Sequence, residues 1–171
     1  MGGDKLIPDR LHGELTDRAI SVIHAFSEMI ITLEAHFDRR LDPDRLARAV
    51  ELVFDAEPVL GCRFVHQDWR PYWERLPRPI DDAFLVAADD ASFEAFACEP
   101  LDQSRGPQLQ ACLWPAPDGD RLLVKLSHYV ADAGAVKEAI EQLAAIYRRL
   151  ATDPRHAPEP NLAGSRSMSQ V

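Results

Sequence analysis

The segment RLLVKLSHYVADAGAVKEAIEQLAAIYRRL, residues 121–150, decides how the whole chain folds. Its first seven residues are rich in branched apolar side chains, which is typical of a buried strand. From Ala135 onward, apolar residues recur every three or four positions, which predicts a helix with one apolar face. Between the strand and the helix lies a polar turn that contains His128 and Asp132. Because such junctions often hold functional side chains, this turn is the first candidate site.

The first half of the chain contains one strong helix signal. Asp42 suits an N-cap, Pro43 suits the first turn, and Pro58 ends the apolar periodicity that follows. The other predicted elements are a short helix from Leu15 to Ile23, a strand within residues 26–37, a hairpin of residues 62–65 and 70–74 with Trp69 and Trp73 in the core or a groove, a strand at residues 84–86, a helix at residues 91–97 capped by Ser92 or Asp90, and a hairpin that joins residues 108–114 to 121–127.

Composition indicates one globular domain. The chain has 171 residues, of which 46% are hydrophobic and 27% charged, the balance of a folded protein rather than a disordered one. Its formal net charge is −9, and no basic block stands out. Because nucleic acids and anionic membrane surfaces attract basic patches, we expect neither as a partner.

The spacing of the cysteines and the lack of long apolar runs indicate the cellular compartment. Cys62, Cys98 and Cys112 are widely spaced and form no CxxC motif, so we expect reduced thiols and no structural metal site. The amino terminus lacks the apolar run of a signal peptide, and no run is long enough to span a bilayer. We therefore expect a cytoplasmic protein.

The turn at residues 127–134 resembles a known motif. His128, three residues and then Asp132 are similar to the second histidine and the aspartate of HHxxxDG, the motif of the acyltransferase superfamily that includes chloramphenicol acetyltransferase, the condensation domains of nonribosomal peptide synthetases and the polyketide-associated acyltransferases. Two positions depart from it, since Ser127 replaces the first histidine and Ala133 replaces the glycine, with Gly134 one place later.

A second segment resembles the same superfamily. Residues 41–64, LDPDRLARAVELVFDAEPVLGCRF, look like a stretch that lies upstream of the motif in these proteins. Arg63 and Phe64 match its closing residues, and Glu57 replaces a histidine that usually precedes the proline. Two short matches in the expected order make the resemblance much stronger than either match alone.

The resemblance implies an α+β fold of the chloramphenicol acetyltransferase type, a two-layer sandwich with a mixed β-sheet and helices packed on one face. Residues 1–150 would form the amino-terminal half of such a domain, and residues 151–171 a linker or crossover tail. In condensation and polyketide-associated enzymes the active-site tunnel lies between two similar halves, and chloramphenicol acetyltransferase forms a trimer instead. We therefore expect a homo-oligomer or association with a carboxy-terminal half.

The resemblance also implies a reaction. His128 would be the general base that deprotonates an acceptor hydroxyl or amine, which then attacks an acyl thioester of coenzyme A or of a carrier-protein phosphopantetheine arm. The unperturbed pKa of histidine, about 6.5, suits that role. Asp132 would brace the turn through an ionic contact, with Ser127 and Gly134 as further structural support. The ionic partner is open: Arg63 is a candidate within this chain, and a residue of the carboxy-terminal half is the alternative. The acyl-CoA or phosphopantetheinyl thioester would be substrate, with no permanently bound cofactor and no metal.

Three alternatives remain open at this stage. The pair His128 and Asp132 could be an ordinary turn histidine and a helix cap. The chain could be a noncatalytic interaction module of the same fold, or an incomplete half-domain. A catalytic serine–histidine relay between Ser127 and His128 is unfavourable, because Ser127 lacks a glycine elbow and adjacent strand residues point to opposite faces.

Overall fold

The computed structural model describes residues 7–24, 29–67 and 71–162. Helices and strands occur together, and one of the two sheets is mixed, which confirms the α+β class. The start of the predicted strand at residues 26–28, Trp69 and the tip of the first hairpin lie outside the described residues. The elements are β1 (Arg10–His12), α1 (Leu15–His24), β2 (Ile30–Phe37), α2 (Pro43–Ala56), a 3-10 turn (Pro58–Gly61), β3 (Cys62–Val65), β4 (Tyr72–Arg75), a second 3-10 turn (Pro79–Asp82), β5 (Phe84–Val86), α3 (Asp90–Cys98), β6 (Leu109–Ala116), β7 (Gly119–Ser127) and α4 (Ala133–Leu150).

The strands form two sheets. The larger sheet has the order β2-β7-β6-β5, and the smaller has the order β1-β4-β3. In the larger sheet β5 is parallel to β6, whereas the other neighbours are antiparallel, so this sheet is mixed as predicted. The strand β7, which leads into the candidate site, lies inside the sheet between β2 and β6. Its end is therefore held from both sides.

Helices α2 and α4 pack together on one face of the larger sheet, in agreement with the predicted layers. Alternate residues of β7 point to opposite faces, and Leu122, Val124 and Leu126 join the helices in the main core. Leu123 points the other way and packs with Cys112 under α3. The third helix therefore covers part of the opposite face, a layer that the sequence patterns did not predict.

The helix caps follow local rules, with one correction. The Asp42 carboxylate accepts a hydrogen bond from Arg45 N at 3.0 Å, so the predicted cap of α2 is confirmed. The cap of α3 is Asp89 rather than Ser92 or Asp90. Asp89 accepts from Ser92 N at 2.8 Å and its own N–H donates to Ser92 Oγ at 3.1 Å, which makes a reciprocal capping box.

A tight hairpin joins β6 to β7 and is attached to the end of β2. Gly119 has a φ of +147°, and a Cβ at this position would lie 2.2 Å from the carbonyl oxygen of Phe37, so only glycine fits. The next residue, Asp120, is buried and accepts from Leu41 N and Arg40 Nη1 at 2.6 Å each. These contacts fix the start of β7.

Part of the predicted tail lies against the domain. Helix α4 ends at Leu150 as predicted, and residues 151–162 contain turns but no further helix or strand. Asn161 N donates to Ala56 O at 2.7 Å, and its side-chain amide lies 3.1 Å from both carboxylate oxygens of Glu57. The tail thus returns to the end of α2. No described helix is both long and apolar enough to cross a membrane.

Candidate functional site

The candidate site is the turn of residues 128–132 between β7 and α4. Its first residue is anchored on one side, because His128 N donates to Met29 O at 2.7 Å just before β2. On the other side, Ser127 N donates to Gln108 O at 2.9 Å just before β6. Because β7 lies inside the sheet, the turn therefore begins at a position that hydrogen bonds to both neighbouring strands fix.

His128 is half-buried at this turn. Its imidazole makes no hydrogen bond or ion pair with another residue in the described part of the chain. A general base must come within hydrogen-bond distance of the proton that it removes, so an imidazole with both ring nitrogens uncommitted suits that task. Its catalytic role stays a prediction.

Asp132 is the N-cap of α4. Its carboxylate accepts from Ala135 N at 2.8 Å, and its carbonyl accepts from Val136 N at 2.9 Å. The residue is exposed, and within the described ranges it forms no ion pair. Asp132 thus supports the turn by satisfying free N–H groups at the helix start rather than through the expected ionic contact.

Arg63, the candidate ionic partner of Asp132, is paired elsewhere. It lies opposite Glu74 in the register of β3 and β4, and its Nη2 is 2.5 Å from Glu74 Oε2. The hydrogen bond from Arg63 lowers the pKa of Glu74. Because Arg63 alternates with the buried Cys62 and Phe64, it points to the exposed side of the small sheet. The expected pairing of Arg63 with Asp132 is therefore not found.

Ser127 and Gly134 lie where a structural role needs them. Ser127 is completely buried, and its Oγ accepts from Tyr129 N at 3.3 Å, so the hydroxyl contacts the turn itself. Gly134 lies in the first turn of α4, where a Cβ would be 3.2 Å from the capping oxygen of Asp132. A small residue at this position leaves room for the cap.

Tyr129, which no sequence motif marks, packs the turn against the core. It is buried, and its ring lies 5.6 Å from that of Phe64, which in turn lies 4.9 Å from that of Trp73. Burial raises the pKa of the Tyr129 hydroxyl. Trp73 is fully buried and donates to Asp17 Oδ2 at 2.9 Å, so it belongs to the core rather than to a groove.

A cleft of about 240 Å³ adjoins the turn. Val130, Ala131 and Ala135 form part of its wall, and Glu57 and Glu138 contribute carboxylates. Burial raises the pKa of Glu57, and the charge of Glu138 acts in the same direction. Among the described residues, no group of histidines, cysteines and carboxylates could hold a metal ion. Burial also raises the pKa of Cys112 to about 11, which disfavours a thiolate nucleophile there.

Comparison with known proteins agrees with the fold that the resemblance implies. No protein-family model matches the chain. The nonribosomal peptide synthetase pboA of Aspergillus ustus is 30% identical over 113 residues, which are 66% of this chain and 5% of that protein. Polyketide synthase associated protein 5 from Mycobacterium tuberculosis superposes with a TM-score of 0.68 at 18% identity, over 91% of this chain. The first condensation domain of the calcium-dependent antibiotic synthetase superposes with a TM-score of 0.66 at 21% identity, over 86% of this chain.

These similarities show that the chain has the fold of condensation domains and of the polyketide synthase associated protein. The chain spans only part of each relative, namely 38% of the polyketide-associated protein and 39% of the condensation domain. That share is consistent with a resemblance to one half of a two-half domain.

Proposed function

We propose that this chain is the amino-terminal half of a condensation-type acyltransferase in which His128 is the general base. One observation carries the proposal. His128, whose imidazole has no partner among the described residues, directly follows the interior strand β7 and begins the turn that ends at Asp132, the N-cap of α4. The solved structures that share this fold include condensation domains.

The reaction would be acyl transfer from a thioester. A nitrogen of the His128 imidazole accepts the proton of an acceptor hydroxyl or amine, whose oxygen or nitrogen then forms a bond to the thioester carbonyl carbon. The carbon–sulfur bond breaks, and the departing thiolate takes the proton back from the imidazolium. The donor would be an acyl-CoA or a carrier-bound phosphopantetheinyl thioester, and the acceptor a small molecule or a carrier-bound group.

The site would be completed by a second wall. The resemblance places the tunnel of these enzymes between two halves, and this chain corresponds to about two fifths of each solved relative. A carboxy-terminal half encoded downstream, or a second copy of this chain, would supply that wall. A carrier protein that presents the acyl thioester is the expected macromolecular partner.

The test is an acyl-transfer assay on the chain, alone and joined to any in-frame downstream domain. Acyl-CoA donors of several lengths are mixed with amine and alcohol acceptors, and the released thiol is measured. His128→Ala should lower the rate about 10²–10⁴-fold, because a positioned general base usually contributes a factor of that size. His156→Ala, at a histidine of the tail, is the matched control and should leave the rate unchanged. Equal rates for the two variants would exclude His128 as the base.

A noncatalytic interaction module is the second candidate, and it rests on Ser127 and Ala133. Both stand where the superfamily motif has other residues, and the Ser127 hydroxyl is buried against the turn. Under this alternative no donor supports turnover, but the chain still binds a phosphopantetheinylated carrier protein. Isothermal titration with the carrier protein, run beside the transfer assay, separates the two candidates.

A further inference from the structure

Gln108 joins several segments of the chain beside the His128 turn. It is completely buried and lies directly before β6. Its main-chain N–H donates to Leu60 O at 2.7 Å in the turn after α2. Its carbonyl accepts, at 2.9 Å, from the N–H of Ser127, which is the last residue before His128. The backbone of Gln108 therefore connects the end of β7 to the segment that follows α2.

The side chain of Gln108 adds a second set of contacts. Its Nε2 lies 2.9 Å from Cys62 O at the start of β3. It also lies 3.2 Å from Gln103 O and 3.3 Å from Gly106 O, in the loop that leads into β6. One amide nitrogen, which carries two hydrogens, thus lies within hydrogen-bond distance of three main-chain carbonyls from two separate segments.

These contacts require a neutral side-chain donor, which the NH₂ group of glutamine supplies. The Oε1 of the same amide is buried and has no hydrogen-bond partner among the described residues. Only the NH₂ end of the amide can face carbonyl oxygens, so the orientation of the side chain is set by its partners. An apolar residue of the same length would remove this donor from Cys62 O and Gly106 O, whereas Gln103 O would still accept from Phe64 N at 2.7 Å. A carboxylate would place negative charge against all three oxygens. Buried acceptors that lose their donor are costly, so the segments would separate or admit water.

The location of Gln108 connects this network to the candidate site. The register pairs Leu109 with Leu126, and the bond between Gln108 and Ser127 extends that pairing by one residue to the edge of the turn. On the opposite side, His128 N is held by Met29 O. If the contact between Gln108 and Ser127 is lost, the end of β7 is held only by its hydrogen bonds on the β2 side.

We propose that Gln108 is a positioning residue that fixes the backbone of residues 127–129 and thereby the direction of the His128 imidazole. It acts through Ser127 and would touch neither substrate nor the reacting atoms. The effect of Gln108 on catalysis rests on the function proposed above, whereas its hydrogen-bond coupling to the turn does not.

The first test compares Gln108→Met with Gln110→Met by amide hydrogen exchange. Gln110 lies two residues later in the chain, and among the described residues its side chain makes one hydrogen bond, an exposed one to Asp82 O at 3.1 Å. In Gln108→Met, the amides of residues 127–129 should exchange roughly fivefold to tenfold faster than in the unmodified protein, the factor expected from one net hydrogen bond. The amides of Leu122 and Val124 should change much less, and Gln110→Met should change neither group. Uniformly faster exchange along β7 would overturn the proposal, because it would mean general destabilisation.

Two further readouts separate positioning from stability. In Gln108→Met, the imidazole resonances of His128 should shift in NMR spectra while those of the other histidines stay in place. In the transfer assay, kcat should fall with the donor KM unchanged. Unshifted His128 resonances, or an unchanged kcat in a folded variant, would contradict the role.

If Gln108→Met does not fold, the unmodified protein still decides the question. The Nε2 protons of Gln108 should exchange at least about tenfold more slowly than those of Gln110, and with the same protection factor as the Ser127 amide, because one opening event would expose both. Exchange as fast as that of Gln110 would overturn the proposal. A chain that lacks transferase activity but shows the coupled exchange would refute the proposed function and leave the coupling intact.

Discussion

Arg121 on β7 donates from Nε to Oε1 of Glu34 on β2 at a distance of 2.5 Å. The same guanidinium reaches Asp90 and Glu94 on α3, at 3.0 Å and 3.1 Å, and lies over the ring of Phe93 at 4.5 Å. One side chain of the interior strand β7 thus joins the edge strand β2 to the helix on the opposite face of the sheet. The hydrogen bond from Arg121 is the main reason why the pKa of Glu34 lies below its ordinary value of 4.5.

The Glu34 contact should make stability depend on pH. A carboxyl group whose pKa is lowered in the folded state contributes stability above its unfolded pKa, and that contribution is lost as pH falls through the folded pKa. Glu34→Gln should therefore have a lower Tm than the unmodified protein at pH 7, and the difference should shrink below about pH 4.5. Thermal unfolding followed by circular dichroism across this range measures it. Glu51→Gln, at an exposed pair with Arg48, should change Tm little at any pH.

Asp132 should act through hydrogen bonding rather than charge. Asp132→Ala should lower the free energy of unfolding by about 0.5–2 kcal/mol, because it removes the N-cap of α4. Asp132→Asn should cost much less, since asparagine is also a good N-cap. Urea denaturation of both variants gives the comparison. If the two substitutions are equally destabilising, an ionic partner of Asp132 exists, as the superfamily resemblance originally implied.

Gly119 should tolerate no side chain. Gly119→Ala places a Cβ 2.2 Å from Phe37 O at a φ of +147°, so we expect a loss of at least about 1 kcal/mol and a clearly lower Tm. Gly106→Ala is the matched control, because a Cβ there would meet only Asp102 O at an ordinary 3.6 Å. A Gly119→Ala variant as stable as Gly106→Ala would show that the hairpin relaxes without cost.

The three cysteines should differ in reactivity. Cys98 is exposed, whereas Cys62 and Cys112 are buried and the pKa of Cys112 is raised to about 11. A thiol reagent at pH 8 should therefore modify Cys98 rapidly, and the other two only after unfolding in denaturant. Mass spectrometry of the labelled peptides identifies the modified positions. Rapid labelling of Cys112 in the folded protein would contradict its burial beneath α3.

The chain should associate through apolar side chains that the described structure leaves exposed. Val22 and Ile23 on α1 are 60% and 50% exposed, and Leu85 and Val86 on the short edge strand β5 are 41% and 46% exposed. Light scattering over a concentration series should show oligomers, and the double substitution of Val22 and Ile23 by Asp should shift them toward monomer. A chain that is monomeric at every concentration would contradict the predicted homo-oligomer.

The sequence by itself determined the parts of this protein that depend on near neighbours. Helix α2 with its Asp42 cap, the hairpin of β6 and β7, and helix α4 with Asp132 at its start all follow from apolar periodicity and turn residues within a few positions. Each feature is stabilised by contacts between residues close in the chain, so the local pattern carries enough information to predict it.

Tertiary structure alone decided the contacts between distant segments. The pairing of Arg63 with Glu74 instead of Asp132, the burial of Tyr129 against Phe64, and the three carbonyls around Gln108 depend on strand register and on which face each residue presents. No sequence pattern marks such partners, because a polar side chain forms its hydrogen bonds with whatever the packed core brings within about 3 Å. The sequence placed His128 at a strand end, and only the packed structure decided which residues hold it there.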